Sequence, residues 1–308
     1  MQHFDALSTA AGTPMGPLIQ ALRRRFAEGC EVPQRHVHAV GDAGQVLLMP
    51  AWRPGGRLGI KTVNVFAGNA ARGLPALHAV YTLFDATTGV PLAQMDGGVL
   101  TSRRTVAASA LAADHLARPD ARTLLVVGSG QLAKLVPEAM RSVRPSIDRV
   151  RVWNHRPEGA RRLADQWRGQ GLAAEAVDDL EAAVRSADIV SCVTLSTAPL
   201  VQGRWLQPGS HLDLVGGYTP TMRESDGECL RRARVWVDTP EALAKAGDLL
   251  QAAAEGAFDP ARVQGTLADL CRGLAGGRAD QTECTLFKSV GTALEDLAAA
   301  ELVFDGHG

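Results

Sequence analysis

The segment Thr123-Leu124-Leu125-Val126-Val127-Gly128-Ser129-Gly130-Gln131-Leu132-Ala133 constrains this chain more than any other. An apolar strand runs into Gly-x-Gly-x-x-Ala, and the pattern predicts a helix from about Gln131 to Arg144. In such a fingerprint the first glycine makes a tight turn and the second lets backbone approach a pyrophosphate. The small third residue lets helix pack on strand. The helix N-terminus adds free N–H groups and a positive dipole end. A second strand at Val150-Arg151-Val152-Trp153 supplies the context that a lone fingerprint lacks.

The 308 residues suffice for two domains, and a 46% hydrophobic content supports a core without staples. A net charge of -1 and scattered basic residues argue against a nucleic-acid partner. Cys30, Cys192, Cys229, Cys271 and Cys284 form no Cys-x-x-Cys, so no metal site is expected and a reducing cytoplasm is the simplest compartment. The N-terminus lacks a signal-peptide pattern and no apolar run is long enough to cross a bilayer, so no membrane partner is expected.

Residues 1–117 mix a helix (Pro17–Glu28), strands (Gln45–Pro50, Ile60–Phe66, Ala79–Asp85) and a helix at Thr101–Leu116 with Thr101 as its N-cap. From 118 to 284, strands at Thr123–Val127, Val150–Trp153, Ala173–Val177, Ile189–Val193, His211–Leu214 and Val235–Asp238 alternate with helices such as Pro157–Gly169 and Leu180–Ser186. That alternation predicts an α/β fold: a Rossmann-type, doubly wound parallel sheet beside an α+β domain. Thr285–Phe304 reads as a final Ala/Leu-rich helix.

In this fold the end of the second strand meets the adenosine ribose, where an acidic residue favours NAD and a basic neighbour accommodates the 2′-phosphate of NADP. The run Trp153-Asn154-His155-Arg156 holds no carboxylate; Asn154 can hydrogen-bond and Arg156 can pair with a 2′-phosphate, which favours NADPH, with NADH as the alternative. A second constellation lies in the first domain. Lys61 sits in an apolar strand, where burial is costly unless it is paired; an outward-facing lysine is the other reading. Arg103 and Arg104 fall in the expected first turn of a helix, where cations are disfavoured unless they meet an anion. Arg35, Lys61 and one arginine of the pair form a candidate carboxylate clamp; His78, Asn69, Asp85 and Asp96 read as turn or structural residues.

Lys61-Thr62-Val63-Asn64-Val65-Phe66, Leu100-Thr101-Ser102-Arg103-Arg104-Thr105 and Thr285-Leu286-Phe287-Lys288-Ser289-Val290-Gly291, with the fingerprint, resemble the ornithine cyclodeaminase/mu-crystallin family in the right order over nearly the whole chain. The resemblance implies a homodimer whose first domain (1–117, joined by the C-terminal helix 285–308) binds substrate and dimerises, with a dinucleotide-binding domain at 118–284. It implies that Arg35, Lys61 and Arg104 hold a substrate carboxylate, with Lys61 and Arg104 as catalytic candidates. Gly128, Ser129, Gly130, Gln131 and Leu132 would wrap the pyrophosphate, and Asn154, His155 and Arg156 would meet the adenosine end. Thr101, Val193, Thr194, Gly217 and Ser289 would line the nicotinamide and substrate side.

One departure decides the chemistry. Cyclodeaminases resemble Gly-Gly-Asp-x-Pro-Gly where this chain has Gly216-Gly217-Tyr218-Thr219-Pro220-Thr221. A phenol, with a reference pKa of about 10, does not replace a carboxylate base at neutral pH. The loop looks like that of the ketimine reductase branch, which reduces Δ1-pyrroline-2-carboxylate and Δ1-piperideine-2-carboxylate, so Tyr218 is expected beside the small cyclic imino acid. Glu224 is expected to cap or open the next helix. An ornithine cyclodeaminase, an alanine or opine-type dehydrogenase, and a non-catalytic NADPH-dependent binding protein are the alternatives. Arg156→Ala is expected to weaken NADPH binding by roughly 1.5–3 kcal/mol and NADH binding far less. Fluorescence titration with each cofactor checks this, and equal losses would contradict the 2′-phosphate role.

Overall fold

The computed structural model describes residues 1–307, which form two compact units: Met1–Thr105 with the segment from Thr292 onward, and Val106–Gly291. The first contains β1 (Gln2–Phe4), α1 (Ala6–Ala11), α2 (Met15–Glu28), β2 (His36–Val40), β3 (Gly44–Trp52), β4 (Arg57–Val65), β5 (Leu77–Asp85) and β6 (Pro91–Asp96). α3 (Gly97–Leu116) begins in it, and α11 (Ala293–Asp305) ends it. Its sheet runs β1-β6-β5-β4-β3-β2; β2 to β6 pair antiparallel, and β1 pairs parallel to β6.

Residues alternate between faces along these strands. On β4, Gly59, Lys61 and Val63 are buried while Ile60, Thr62 and Asn64 are not. The register sets Met49, Lys61, Tyr81 and Met95 in one row across four strands, all buried. α11 packs over β3, β4 and β5, with α2 alongside. It is Ala- and Leu-rich and almost wholly buried, so its carboxylates need partners. Glu301 takes Arg25 of α2 at 2.6 Å and Arg53 at 3.1 Å.

The second unit contains β7 (Thr123–Val127), α4 (Val136–Val143), β8 (Arg149–Trp153), α5 (Pro157–Gly169), β9 (Ala174–Ala176), α6 (Leu180–Arg185), β10 (Ile189–Cys192) and β11 (His211–Leu214). α7 (Gly227–Arg232), β12 (Arg234–Val237), α8 (Ala242–Lys245), α9 (Gly247–Ala254), β13 (Val263–Thr266), α10 (Leu267–Arg272) and β14 (Thr285–Lys288) complete it. The parallel sheet runs β13-β12-β14-β11-β10-β7-β8-β9. The four strands β7, β10, β11 and β14 are buried at every residue, as a sheet covered on both faces requires. The strand order reverses between β7 and β10, the switch point at which such sheets bind ligands.

Three elements differ from the sequence expectation. The helix expected over 285–304 is a strand followed by a helix. Thr285–Lys288 inserts between β11 and β12, and Gly291 (φ +76°) with extended Thr292 turns the chain before α11. Thr101 is not an N-cap: Asp96 accepts from Val99 N at 2.8 Å, and α3 starts at Gly97. Arg103 and Arg104 therefore lie a turn further in, and the dipole argument for an anion there falls away. The helix expected from Gln131 starts at Val136, after a 3-10 turn at Ala133–Leu135. Pro137, without an N–H, cannot donate back to Ala133, and Leu135 N bonds Leu132 O at 2.9 Å instead.

A Cβ at Gly59 would lie 1.8 Å from the Tyr81 hydroxyl, which is buried against that strand. Gly59→Ala is expected to destabilise by about 1–3 kcal/mol in chemical denaturation; an unchanged midpoint would mean Tyr81 yields freely.

Candidate active site

In the first unit the structure gathers Lys61, Thr101 and Arg104 around two acids of α11. Lys61 Nζ lies 2.7 Å from Asp296 Oδ2 and donates to Thr101 Oγ1 at 3.2 Å. Arg104 Nε donates to Asp296 Oδ1 at 2.9 Å and Nη1 to Glu295 Oε2 at 2.6 Å. Thr101 passes its own proton to Gly97 O at 2.6 Å, which leaves its oxygen to accept from the ammonium. All four charged side chains are at most 6% exposed. Burial works against the Asp296 carboxylate, yet Lys61 and Arg104 hold its carboxyl below the ordinary range. Burial likewise pulls the Lys61 ammonium down, and Asp296 only partly restores it, to about 8. Lys61 is thus paired, as its burial demands, and not outward-facing. Glu295 and Asp296 escaped the sequence reading; the signal for them was two adjacent carboxylates in the first turn of an Ala/Leu-rich helix.

The quartet is formally neutral. Arg104 spends Nε and Nη1 on α11, so Nη2 remains for a ligand, and Lys61 has one N–H left after Asp296 and Thr101. Arg35 stands half-buried immediately before β2, whose His36 faces Leu48, the partner of Thr62. His78 and Asn64 pair across β5 and β4 and line, with Thr62, Val80, Asp96 and Gly98, a cavity of about 320 Å³. His78 and Asp96, read from sequence as structural, thus line open space, and Asp96 also caps α3.

In the second unit Gly128 has φ +115° and a Cβ there would meet Val193 O at 2.9 Å, so the turn requires glycine. Gly130 differs. Its φ is not positive, and a Cβ would meet no atom of the protein within 4 Å. Nothing among the described residues demands glycine there, whereas a pyrophosphate approaching the backbone would. These residues therefore fit a dinucleotide. Gln131 is exposed and Leu132 half-buried beside them. A Cβ at Gly159 would lie 2.6 Å from Ser129 Oγ and 3.0 Å from Asn154 Nδ2, so a glycine missed in sequence lets Ser129 and Asn154 approach α5. Asn154 Nδ2 donates to Arg156 O at 3.0 Å, while His155 and Arg156 are exposed at the start of α5.

Around the late loops, Glu224 is a correction. It caps no helix; Asp226 caps α7, accepting from Cys229 N. Glu224 is fully buried and accepts from Thr194 N at 2.6 Å, Thr194 Oγ1 at 2.8 Å and Gly216 N at 2.7 Å. Gly217 is buried, Val193 half-buried and Tyr218 46% exposed. Ser289 N donates to Leu214 O at 3.1 Å.

Asp296→Asn leaves two buried cations short of one carboxylate. It is expected to cost about 3–5 kcal/mol in denaturant unfolding; a loss below 1 kcal/mol would mean that Glu295 suffices for both.

The profile of the ornithine cyclodeaminase/mu-crystallin family matches residues 7–307. A Delta(1)-pyrroline-2-carboxylate reductase of Paracoccus denitrificans is 39% identical over 289 residues, covering 92% of this chain and 90% of the relative. The ketimine reductase mu-crystallin of Mus musculus is 34% identical over 296 residues, covering 94% and 90%. The structure of Thermococcus litoralis Delta(1)-pyrroline-2-carboxylate reductase in complex with NADH and L-proline superposes with a TM-score of 0.93 at 32% identity, covering 99% and 97%. With a family profile spanning almost every residue and relatives of this identity over nine-tenths of its length, the chain belongs to the ornithine cyclodeaminase/mu-crystallin family.

Proposed function

We propose that the protein is a nicotinamide-dependent oxidoreductase that reduces cyclic ketimines, Δ1-pyrroline-2-carboxylate to L-proline and Δ1-piperideine-2-carboxylate to L-pipecolate. The observation that carries this reading is the loop after β11. Val215 to Arg223 contains no carboxylate, and Tyr218, at the position of the cyclodeaminase Asp, is exposed. The nearby acids Glu224 and Asp248 are fully buried and committed to backbone and side-chain donors. No base stands at that loop for the amine chemistry of a cyclodeaminase. The names of the reductase relatives agree.

The bound cofactor supplies a hydride, and the residues of the chain prepare the acceptor. The Nη2 of Arg104 and the remaining N–H of Lys61 are suited to hold the substrate carboxylate, with Arg35 as a third donor. A neutral quartet does not attract a free anion strongly, but it suits an iminium carboxylate, whose charges cancel. Where the substrate binds as the neutral imine instead, that N–H of the Lys61 ammonium supplies the ring nitrogen's proton in place of the carboxylate contact. Fixing the imine carbon in one orientation is then the main contribution of the protein.

We infer NADPH as the preferred cofactor, because Arg156 is exposed at the start of α5 and the run Asn154-His155-Arg156-Pro157 directly after β8 holds no carboxylate. A homodimer is supported by the second face of the first sheet, where Val80 is 42% exposed and Leu48, Ile60 and Phe84 are half-buried. No helix among the described residues is long and apolar enough to cross a membrane.

The test is oxidation of NADPH with each imine, against an ornithine control. Fast oxidation with an imine and none with ornithine is expected; ornithine consumed with ammonia release would make the protein a cyclodeaminase. A protonated Lys61 predicts that kcat/KM falls as pH rises through about 8, where the ammonium is lost. Lys61→Arg keeps its charge and should lose that alkaline limb, and an identical limb in the variant would assign it to the substrate.

A further inference from the structure

The carboxyl edge of the second sheet is stitched by one buried acid. Glu224 Oε1 accepts from Thr194 N and Oγ1, in the turn after β10. Its Oε2 accepts from Gly216 N at 2.7 Å and Gly217 N at 3.4 Å, in the turn after β11. Glu224 is itself seated from behind. Asp248 Oδ1 accepts from Glu224 N at 2.8 Å and Ser225 N at 2.9 Å, and Asp248 Oδ2 takes Lys288 Nζ, at the end of β14, at 3.0 Å. Glu224, Asp248 and Lys288 are all fully buried.

The two glycines belong to this arrangement. A Cβ at Gly216 would lie 1.9 Å from Thr194 O and 2.4 Å from Glu224 Oε1. A Cβ at Gly217 would lie 2.3 Å from Asp248 Oδ2. On the other side of β10, Gly128 packs against Val193 O and the Thr194 methyl. The turns after β7, β10 and β11 are therefore one continuous seam, with Glu224 at its centre. Every hydrogen bond to its two oxygens is donated to it, so the seam uses the acid as an acceptor on both oxygens, which only the carboxylate provides. An amide would turn N–H against N–H at one of the two turns.

We propose that Glu224 is a positioning residue for the nicotinamide end of the cofactor, holding the Thr194 and Gly216–Gly217 turns in one arrangement before the cofactor arrives. The inference rests on the reading that a nicotinamide cofactor binds at the switch-point edge. It does not depend on which imine is reduced. Glu224 touches no reacting atom in this account; it acts through the backbone it fixes.

The experiment is calorimetric titration of the full-length protein and of Glu224→Gln with NADPH and with 2′-phospho-ADP-ribose, which lacks the nicotinamide. The variant is expected to lose about tenfold in affinity for NADPH and less than twofold for the fragment. Glu224→Asp, which keeps the carboxylate but shortens its reach by one methylene and so loosens one of the two turns, should show the same split at about threefold. Equal losses for both ligands would make Glu224 a general structural residue, and no loss for either would leave it without influence on the site; each overturns the proposal. Should Glu224→Gln fail to fold, Glu224→Asp decides alone, and its lack of a split overturns the proposal. An enzyme inactive on imines that still shows the split would refute the proposed function and leave this inference standing.

Discussion

Two cations and two carboxylates, all nearly inaccessible, meet where α11 crosses the first sheet. Removing such charges from water costs several kcal/mol each unless they are paired and hydrogen-bonded. Lys61 and Arg104 have that pairing only because the last helix returns to the sheet. Asp296 faces both cations and Glu295 takes the second guanidinium nitrogen. The helix α11 is thereby part of the candidate site, although its acids lie nearly two hundred residues from Arg104 in sequence. Glu301 repeats the device one side over, bringing Arg25 and Arg53 to the same helix. Ion pairs of this kind add less net stability than their number suggests. Their value lies in the single arrangement they permit, with one guanidinium nitrogen and one ammonium proton left for a ligand.

The second unit meets a different constraint with the same means. A parallel sheet buried on both faces exposes chemistry only at its ends, so function concentrates in the turns that follow its strands. Those turns are not independent. Gly128 leans on Val193, Thr194 bonds Glu224, and Glu224 bonds Gly216 and Gly217. The glycines have distinct reasons. Gly128 needs its φ, Gly216 and Gly217 leave room for carboxylates, and Gly130 leaves room for nothing the protein contains. Of these four, Gly130 is the one the fold itself does not require, and its open side lies at the turn after β7 where the fingerprint places a pyrophosphate.

The sequence showed what depends on local pattern. The strand β7 and its glycines, the helix α5 and the alternation that sets the parallel sheet follow from periodicity and turn chemistry. What it hid depends on partners far away. Thr285–Lys288 reads as the start of an Ala/Leu helix until its place between β11 and β12 is known. Thr101 was the expected cap, whereas the helix begins four residues earlier behind Asp96, and Gly97 is needed where α3 meets β5. Lys61 was suspect as a mid-strand lysine, but its partners lay in a helix that periodicity alone marks as apolar. Glu224 looked like a helix cap from its position before a helical stretch, and only the fold puts two glycine amides against it.

The central claim is that a hydride leaves the cofactor for good and ends on the imine carbon. The direct measurement supplies reduced cofactor deuterated at the transferring position of nicotinamide C4, with Δ1-pyrroline-2-carboxylate, and locates the label in the amino acid formed by nuclear magnetic resonance. Deuterium at C2 of proline, in step with cofactor consumed, is the result predicted here. Label retained on the cofactor while ornithine is turned over would show a hydride borrowed and returned, and would contradict the account.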